Sequence, residues 1–429
     1  MQLSAYHLYL PHSARPGTGI LFSTRKGALC LIPEARYREL QEGIIAPHFA
    51  EPLRKTGLLV ENRQAERRAC LDYLEELNRH NRRLVIAVIP GMACNFACVY
   101  CYEGKQKGAR VMGRETAARL IEFVAGRLGQ GREKLVVDFY GGEPLLHVDL
   151  VSHLAAKLQK ICRERGVAFS FNLVSNGSLL KRRTAEELVP LGLKSVKITL
   201  DGPPDIHDRS RPYKNGQGSF NTIFKNIKNC CELVSISLGG NFSHNNYHRF
   251  PELLDILLDH GITPDSLGQV QFASAMQVKD TVSATNFSGC AATCEPWLAE
   301  AAVYLRGEVK KRGFKSPKIT PSPCAVDVDE AFTVHYNGDL YKCVALIGHE
   351  QFRIGNVATG ISGEMKVYYP GHFKKEKKCR ECAYLPLCFG GCRFMEYQRS
   401  GNMAKVDCMK EYYDRALPDM LMQEVKLGD

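Results

Sequence analysis

Between residues 84 and about 275, short β-rich runs alternate with longer amphipathic stretches, and this alternation limits the fold more than any other feature of the chain. Residues 84–89, 135–140, 168–175, 195–200, 234–238 and 269–273 read as strands. The intervening stretches 114–128, 148–165, 181–191, 220–233 and 250–260 carry helical spacing. Within 148–165, for example, Leu154, Leu158 and Ile161 fall on one face. Gly166, the Asn176-Gly177 pair and Gly261 punctuate the ends of these runs. Repeated strand–helix units predict an α/β fold, with a parallel sheet and helices on its outer side. Ligands in such a sheet collect beyond the C-terminal ends of the strands. The loop that follows residues 84–89 is therefore the first place to look for chemistry.

That loop reads Cys94-Asn95-Phe96-Ala97-Cys98-Val99-Tyr100-Cys101, a three-residue gap followed by a two-residue gap between cysteines. One loop with this spacing wraps a cubane cluster and presents three thiolates. Four irons and three thiolates leave one iron without a protein ligand, free to chelate a small molecule and pass it an electron. Structural zinc is an alternative, but such sites close with four ligands in paired knuckles, and no fourth Cys or His follows at that spacing. A redox pair of Cys98 and Cys101 leaves Cys94 unexplained. The 17 cysteines of this 429-residue chain, which opens without a signal peptide, point to metal binding in a reducing cytoplasm and not to a disulfide framework.

The triplet, with aromatic Tyr100 just before its third cysteine, resembles the signature of the radical S-adenosylmethionine superfamily. The resemblance implies a partial (β/α)6 TIM-like barrel, which matches the six strand–helix units. It implies a [4Fe–4S] cluster on Cys94, Cys98 and Cys101, whose open iron holds the amino and carboxylate groups of S-adenosylmethionine. Reductive cleavage of that cofactor yields a 5′-deoxyadenosyl radical in the family, with the aromatic at the place of Tyr100 near the adenine. Gly141-Gly142-Glu143-Pro144 would by itself read as a tight turn. After the cysteine triplet it looks like the family's Gly-Gly-Glu-Pro motif, which meets the amino group of the cofactor. Ser175 and Asn176 close the third strand, and Thr199 ends the fourth, twelve residues before Arg211. This last stretch is similar to one in SPASM-containing maturases, where a hydroxyl residue and an arginine bind the ribose and carboxylate of the cofactor. A guanidinium suits a carboxylate because its fork donates two parallel hydrogen bonds.

A second set of cysteines fills the last hundred residues: Cys324, Cys343, Cys379, Cys382, Cys388, Cys392 and Cys408. Four of them alone could satisfy zinc. The whole pattern, with Gly338 before Cys343, resembles the SPASM domain, which binds two auxiliary [4Fe–4S] clusters. Carried over, Cys324, Cys343 and Cys392 are ligands of the cluster nearer the active site, and Cys379, Cys382, Cys388 and Cys408 of the outer one. Some relatives supply a fourth ligand to the nearer cluster six residues past the first cysteine, where this chain has Glu330. Cys290, Cys294 or a substrate thiolate are the other candidates for that place. Cys30, Cys70, Cys162, Cys230 and Cys231 lack ligand spacing and read as core or incidental thiols.

Residues 1–83 read as an N-terminal α+β module, with strands near 8–10, 19–22 and 28–32 and helix-like stretches ending in 69–82. The layout is similar to the N-terminal regions of radical peptide maturases, some of which grip a leader peptide by adding it to a sheet edge. A cap packed on the barrel is the other reading. The expected organisation is this module, a partial barrel over 84–285, a bridge over 286–323 and a SPASM domain over 324–429.

A net charge of +11 admits nucleic acid or an acidic peptide as partner, but the basic residues are scattered and no nucleic-acid motif stands out. The basic run Lys374-Lys375-Glu376-Lys377-Lys378 just ahead of Cys379 suits an anionic cluster. No apolar stretch is long enough to span a membrane, so no membrane or nucleic-acid partner and a cytoplasmic location are expected. The function that these resemblances imply is a radical S-adenosylmethionine peptide maturase, similar to the geopeptide type. Such an enzyme works with three [4Fe–4S] clusters, S-adenosylmethionine and an electron donor such as flavodoxin or ferredoxin. It modifies a ribosomally synthesised precursor peptide, forming a thioether cross-link. The first alternative is an anaerobic sulfatase-maturating enzyme, which makes formylglycine. Those enzymes carry an aspartate base where this chain has Val344, leaving Asp327, Asp329 and Asp339 as substitutes. The second alternative is a non-catalytic iron–sulfur carrier or peptide-binding protein. No general base is named by the sequence.

Overall fold

The computed structural model of the protein describes residues 1–129, 131–276, 295–362 and 367–427. Its first strands are β1 (Gln2–Leu3), β2 (His7–Pro11), β3 (Thr18–Ser23), β4 (Ala28–Pro33) and β5 (Leu59–Val60). The parallel strands follow: β6 (Arg83–Val88), β7 (Lys134–Phe139), β8 (Ala168–Ser175), β9 (Leu193–Thr199), β10 (Ser235–Phe242) and β11 (Gln269–Ser274). Then come β12 (Ala331–Val334), β13 (Asp339–Tyr341), β14 (Gly355–Asn356) and β15 (Gly360–Ile361).

Strands β6 to β11 are joined in sequence order by parallel ladders and form the α/β partial barrel. In β6 and β7 every second residue is fully buried and the others are half-buried or exposed, because one face packs under helices while the other lines the barrel. Helices Arg114–Arg127, Val148–Glu164, Phe220–Cys230 and Phe250–Asp259 cover the outer face with residues such as Leu120, Leu154, Ile223 and Leu254. Each such side chain taken fully out of water contributes about 1.5–3 kcal/mol before entropy is counted. The register Thr199↔Gly239↔Gln271 levels the C-terminal ends of β9, β10 and β11, so the loops that follow them open on the same side as the cysteine loop after β6.

Three differences from the sequence expectation have physical causes. Strand β10 runs on through Gly239 and Gly240, since a Cβ on Gly240 would meet the Leu200 carbonyl at 2.4 Å and a ring carbon of Phe272 at 2.8 Å. The stretch 69–82 is broken into Arg63–Leu71 and Tyr73–His80, with Asp72 between them. The sheet also continues beyond β6: β12 pairs parallel to it, and β13 to β15 extend the far edge antiparallel. Because all four β12 residues are buried, this strand has no alternation to read in the sequence.

The N-terminal strands β2, β3 and β4 form an antiparallel sheet of their own. Gly19 is required there, because the Tyr9 ring, stacked on Tyr37 at 3.8 Å, occupies the place of a Cβ. This unit packs against the cysteine-rich end of the chain. Phe22 clusters with Leu387, Leu417 and Leu421, Thr24 donates to the Ala383 carbonyl at 2.6 Å, and Asn78 donates to the Asp327 carbonyl at 2.8 Å. The C-terminal helix Lys410–Leu427 lies along Pro296–Lys311, tied by Arg306 and Lys310 to Glu424.

Candidate active site

The loops at the C-terminal ends of the barrel strands surround a cavity of about 360 Å³, which lies within the range of small-molecule sites. Cys94, Cys98 and Cys101 line it, together with Tyr100, Gly141, Gly142, Ser175, Asn176, Thr199 and Arg211. All but Glu143 of the cofactor and first-cluster residues expected from the sequence thus share one space. Glu143 is fully buried behind it and accepts from the Leu145 and Asn176 amides (3.0 and 2.7 Å) and the Ser175 hydroxyl (2.9 Å). Its carboxylate therefore locks the loop after β7 to the loop after β8.

The glycines set the approach of the cysteine loop. A Cβ on Gly142 would lie 2.2 Å from the Ala93 carbonyl oxygen, and Gly141 holds φ +121°, a backbone conformation that L side chains rarely adopt. The Glu143 amide donates to that same Ala93 oxygen at 2.8 Å. Within the loop, Cys94 Sγ accepts from the Phe96 amide at 3.5 Å, and the Asn176 amide group reaches it at 4.0 Å. Burial pushes the Cys94 thiol up and the Cys101 thiol up to about 11. Lys107 opposes this: burial pulls it down, but Cys101, Cys94 and Cys98 together raise it, and its Nζ donates to the Phe96 carbonyl at 3.2 Å. Buried thiols beside a retained cation are a donor set for a metal-bound thiolate.

Tyr100 is fixed by its hydroxyl, which bonds the Asp201 carboxylate and accepts from Arg211 at 2.7 Å and Asn241 at 3.0 Å. Burial pulls the Arg211 guanidinium down, yet Cys98, Tyr100 and Asp201 hold it well above its ordinary value, so it stays charged. Its main chain is secured from behind: Ser219 donates to the Arg211 carbonyl at 2.7 Å and contacts His207 Nε2 at 3.0 Å. His207 Nδ1 accepts from the Asp201 amide at 3.0 Å, which makes Nε2 the protonated nitrogen of a neutral ring. Burial holds this imidazole well below its usual value.

Among the described residues, two buried polar atoms beside the cavity have no hydrogen-bond partner: Nε of Arg211 and Oε1 of Glu103. Burying such atoms unpaired costs about 1–3 kcal/mol each, and a ligand bearing a carboxylate and an ammonium supplies what they lack. The three thiols, the glycine approach and these orphan atoms fit an iron–sulfur cluster with S-adenosylmethionine. Sequence reasoning missed Glu103, Lys107, Asp201, His207, Ser219 and Asn241. Asp201 and His207 lie between Thr199 and Arg211, inside the stretch that carries the resemblance, while Asn241 carries no local signal because only the β9–β10 pairing brings it to Tyr100.

At the cysteine-rich end the seven cysteines lie within electrostatic reach of one another in two sets, although among the described residues no three Cys, His, Asp or Glu side chains stand close enough together to hold a metal ion. Cys343, whose thiol burial pushes up to about 12, lies within electrostatic reach of Cys324 and Cys392. Cys388, likewise pushed up to about 12 by burial, faces Cys382, Cys379 and Cys408. Glu330 is drawn away by Arg127 (3.1 Å) and Arg132 (3.0 Å). Asp327 is buried against Arg393 at 2.5 Å, and Asp339 is held by Asn337 and Asn356. None of Asp327, Asp329 and Asp339 is among the residues lining the cavity of Cys94. Cys290 and Cys294 lie outside the described residues. Of the remaining thiols, Cys70, Cys162 and Cys230 are buried, while Cys30 and Cys231 are half-buried.

The partial parallel barrel thus gathers three thiols and an arginine at its C-terminal rim. Residues 88–257 match the Radical SAM superfamily, so the barrel region of this chain is a radical SAM domain. That family works with a [4Fe–4S] cluster and S-adenosylmethionine. The serine-type anaerobic sulfatase-maturating enzyme of Bacteroides thetaiotaomicron is 23% identical over 74% of this chain and 84% of its own length. Among solved structures, native anSMEcpe with bound AdoMet and Cp18Cys peptide aligns with TM-score 0.62 at 19% identity, over 79% of this chain and 98% of that one. Streptococcus suis SuiB bound to precursor peptide SuiA aligns with TM-score 0.53 at 15% identity, over 95% and 98%. At these identities the two structural likenesses establish the fold. Among the described residues no helix is long and apolar enough to cross a membrane.

Proposed function

We propose that the protein oxidatively modifies a ribosomally synthesised precursor peptide and closes a thioether cross-link on it. When bound, the cluster on Cys94, Cys98 and Cys101 and S-adenosylmethionine together supply a 5′-deoxyadenosyl radical that removes a hydrogen atom from the substrate. The residues of the chain hold the geometry for this. Arg211 would take the cofactor carboxylate, Tyr100 would pack beside its adenine, Thr199 would meet its ribose, and the Gly141-Gly142 backbone would face its amino group. Asp201 and Asn241 keep Tyr100 in place, so that held geometry decides which substrate bond faces the radical. In this reading the SPASM domain adds two further clusters, one on Cys324, Cys343 and Cys392 and one on Cys379, Cys382, Cys388 and Cys408. Flavodoxin or ferredoxin supplies the electrons.

One observation carries the choice of thioether. Glu330, at the place where some relatives supply a fourth ligand, is committed to Arg127 and Arg132, which takes it out of contention there and supports the thiolate of a substrate cysteine in that place. The formylglycine reading, to which the sulfatase maturases belong, is less well served. Val344 stands at the base position, and Asp327 and Asp339 are bound elsewhere.

The N-terminal unit serves the same substrate. Strand β4 pairs only with β3 among the described residues, and beside it a groove of about 290 Å³ is lined by Leu31, Ile44 and Phe49. A leader segment added along β4 would set alternate apolar side chains into that groove. The test is to give the reconstituted enzyme a cysteine-bearing precursor peptide. A thioether product loses two hydrogens and its alkylatable thiol. A product that has lost its sulfur and carries an aldehyde instead identifies formylglycine and overturns the choice.

A further inference from the structure

The inner face of the barrel is polar well below the cofactor rim. Asn172 on β8 donates to Asp138 on β7 at 2.7 Å, and Ser195 on β9 donates to Asn172 at 2.8 Å. The next inward residue on β9 is Lys197, which lines the same cavity as the cluster cysteines. It precedes Thr199 by two residues and so shares its face, about 7 Å further from the strand ends.

Lys197 differs from the other cations of this cavity. Arg211 is engaged by Tyr100, and Lys107 by the Phe96 carbonyl and the thiols. Lys197 is exposed to the cavity and makes no ion pair or hydrogen bond among the described residues. Its stem has a defined course. Its Cε lies 3.2 Å from the point where a Cβ on Gly239 would stand, so the side chain runs over β10 in space that the glycine leaves free. Gln271 on β11 pairs with Gly239 and is also exposed to the cavity. An ammonium and a primary amide thus flank one glycine on the wall where substrate must lie. Ammonium and amide N–H donors together recognise a carboxylate, and a charged acceptor strengthens such bonds roughly twofold over neutral ones.

We infer that Lys197, seconded by Gln271, is a specificity residue that binds a carboxylate of the peptide close to the residue being modified. The inference rests on the peptide reading above and adds to it a substrate class: peptides with an Asp or Glu, or a free C-terminus, a few residues from the modified position. Such a contact fixes the register of a flexible chain in the cavity, and with it which hydrogen faces the radical.

The test uses the reconstituted holoenzyme and a pooled library of synthetic heptapeptides. Each has a central cysteine and randomised flanks, and each is made with a free and with an amidated C-terminus. Modified members are identified by mass spectrometry. The wild-type products should be enriched about tenfold, equal to about 1.4 kcal/mol, in Asp or Glu at one flanking place if a side chain is read. Enrichment in the free-acid form alone identifies the C-terminus as the group read. Lys197→Met should abolish the preference, Lys197→Arg should keep it, and Lys197→Glu should turn it toward Lys and Arg. A merely structural lysine would not invert the preference. Products without acid enrichment, or enrichment that survives in Lys197→Met, overturn the inference and leave the peptide reading standing. No product from any library member, while deoxyadenosine is released, overturns the inference that a carboxylate near the modified residue is enough to place a short peptide.

Discussion

Replacing Gly142 by alanine should damage the first cluster site without touching a ligand. The backbone of Gly142 lies outside the positive-φ region, so alanine fits its local conformation. The conflict is one of space. The new methyl would stand 2.2 Å from the Ala93 carbonyl oxygen, 2.7 Å from its carbon and 2.8 Å from the Met92 oxygen, where ordinary contact begins at 3.4 Å. All three atoms are backbone, so no side-chain rotation relieves the overlap, and the segment entering Cys94 must retreat. Overpacking of this kind costs about 1–3 kcal/mol. Retreat also stretches the 2.8 Å bond from the Glu143 amide to Ala93, worth about 0.5–1.5 kcal/mol. We expect a loss of about 2–4 kcal/mol, taken partly as global stability and partly as displacement of Cys94. A 1 Å misplacement at a reacting centre costs about a hundredfold in rate. Reconstituted Gly142→Ala should therefore release deoxyadenosine about a hundredfold more slowly and hold fewer irons at the first site. Gly126→Ala is the control, since nothing lies within 4 Å of its Cβ and it sits in the helix Arg114–Arg127. Wild-type iron content and turnover in Gly142→Ala would refute the reasoning.

Other substitutions probe the same account. Tyr100→Phe leaves Arg211, Asn241 and Asp201 without their shared hydroxyl; S-adenosylmethionine should bind about tenfold more weakly by equilibrium dialysis, for a loss of about 1–3 kcal/mol, with iron content unchanged. Arg393→Ala strands Asp327, both side chains being only 1% exposed; about 3–5 kcal/mol of stability should disappear, read by denaturant unfolding of the holoprotein. Replacing Cys94, Cys98 and Cys101 together by alanine should abolish deoxyadenosine release. Replacing Cys343 or Cys388 instead should spare part of that release while blocking the modified peptide.

The barrel was legible because its physics is local. Strands with one face under helices alternate, helices repeat along one face, and the expected bounds for β6, β7, β8, β9 and β11 fall within two residues of those observed. The meeting of Cys94, Cys98 and Cys101 in one cavity was legible because their short spacings are themselves local. What stayed hidden was whatever needed pairing across the fold. Asn241 reaches Tyr100 only through the β9–β10 register, and Glu103 and Lys107 gain meaning from burial beside thiols. The run of buried residues in β12 and the docking of the N-terminal unit on the cysteine-rich end depend on contacts hundreds of residues apart. Glu143 was read as a cofactor contact, but the structure buries it behind the cavity, where its carboxylate holds Ser175 and Asn176 in position, a task that no motif announces.

The central claim is that this chain generates a substrate radical at its cysteine loop and carries two further clusters. The most direct measurement is iron and sulfide content together with 5′-deoxyadenosine release, on anaerobically reconstituted, dithionite-reduced protein given S-adenosylmethionine. The account predicts about twelve irons per chain and deoxyadenosine formed. About four irons with turnover would contradict the auxiliary clusters, and zinc in place of iron without turnover would contradict the claim itself.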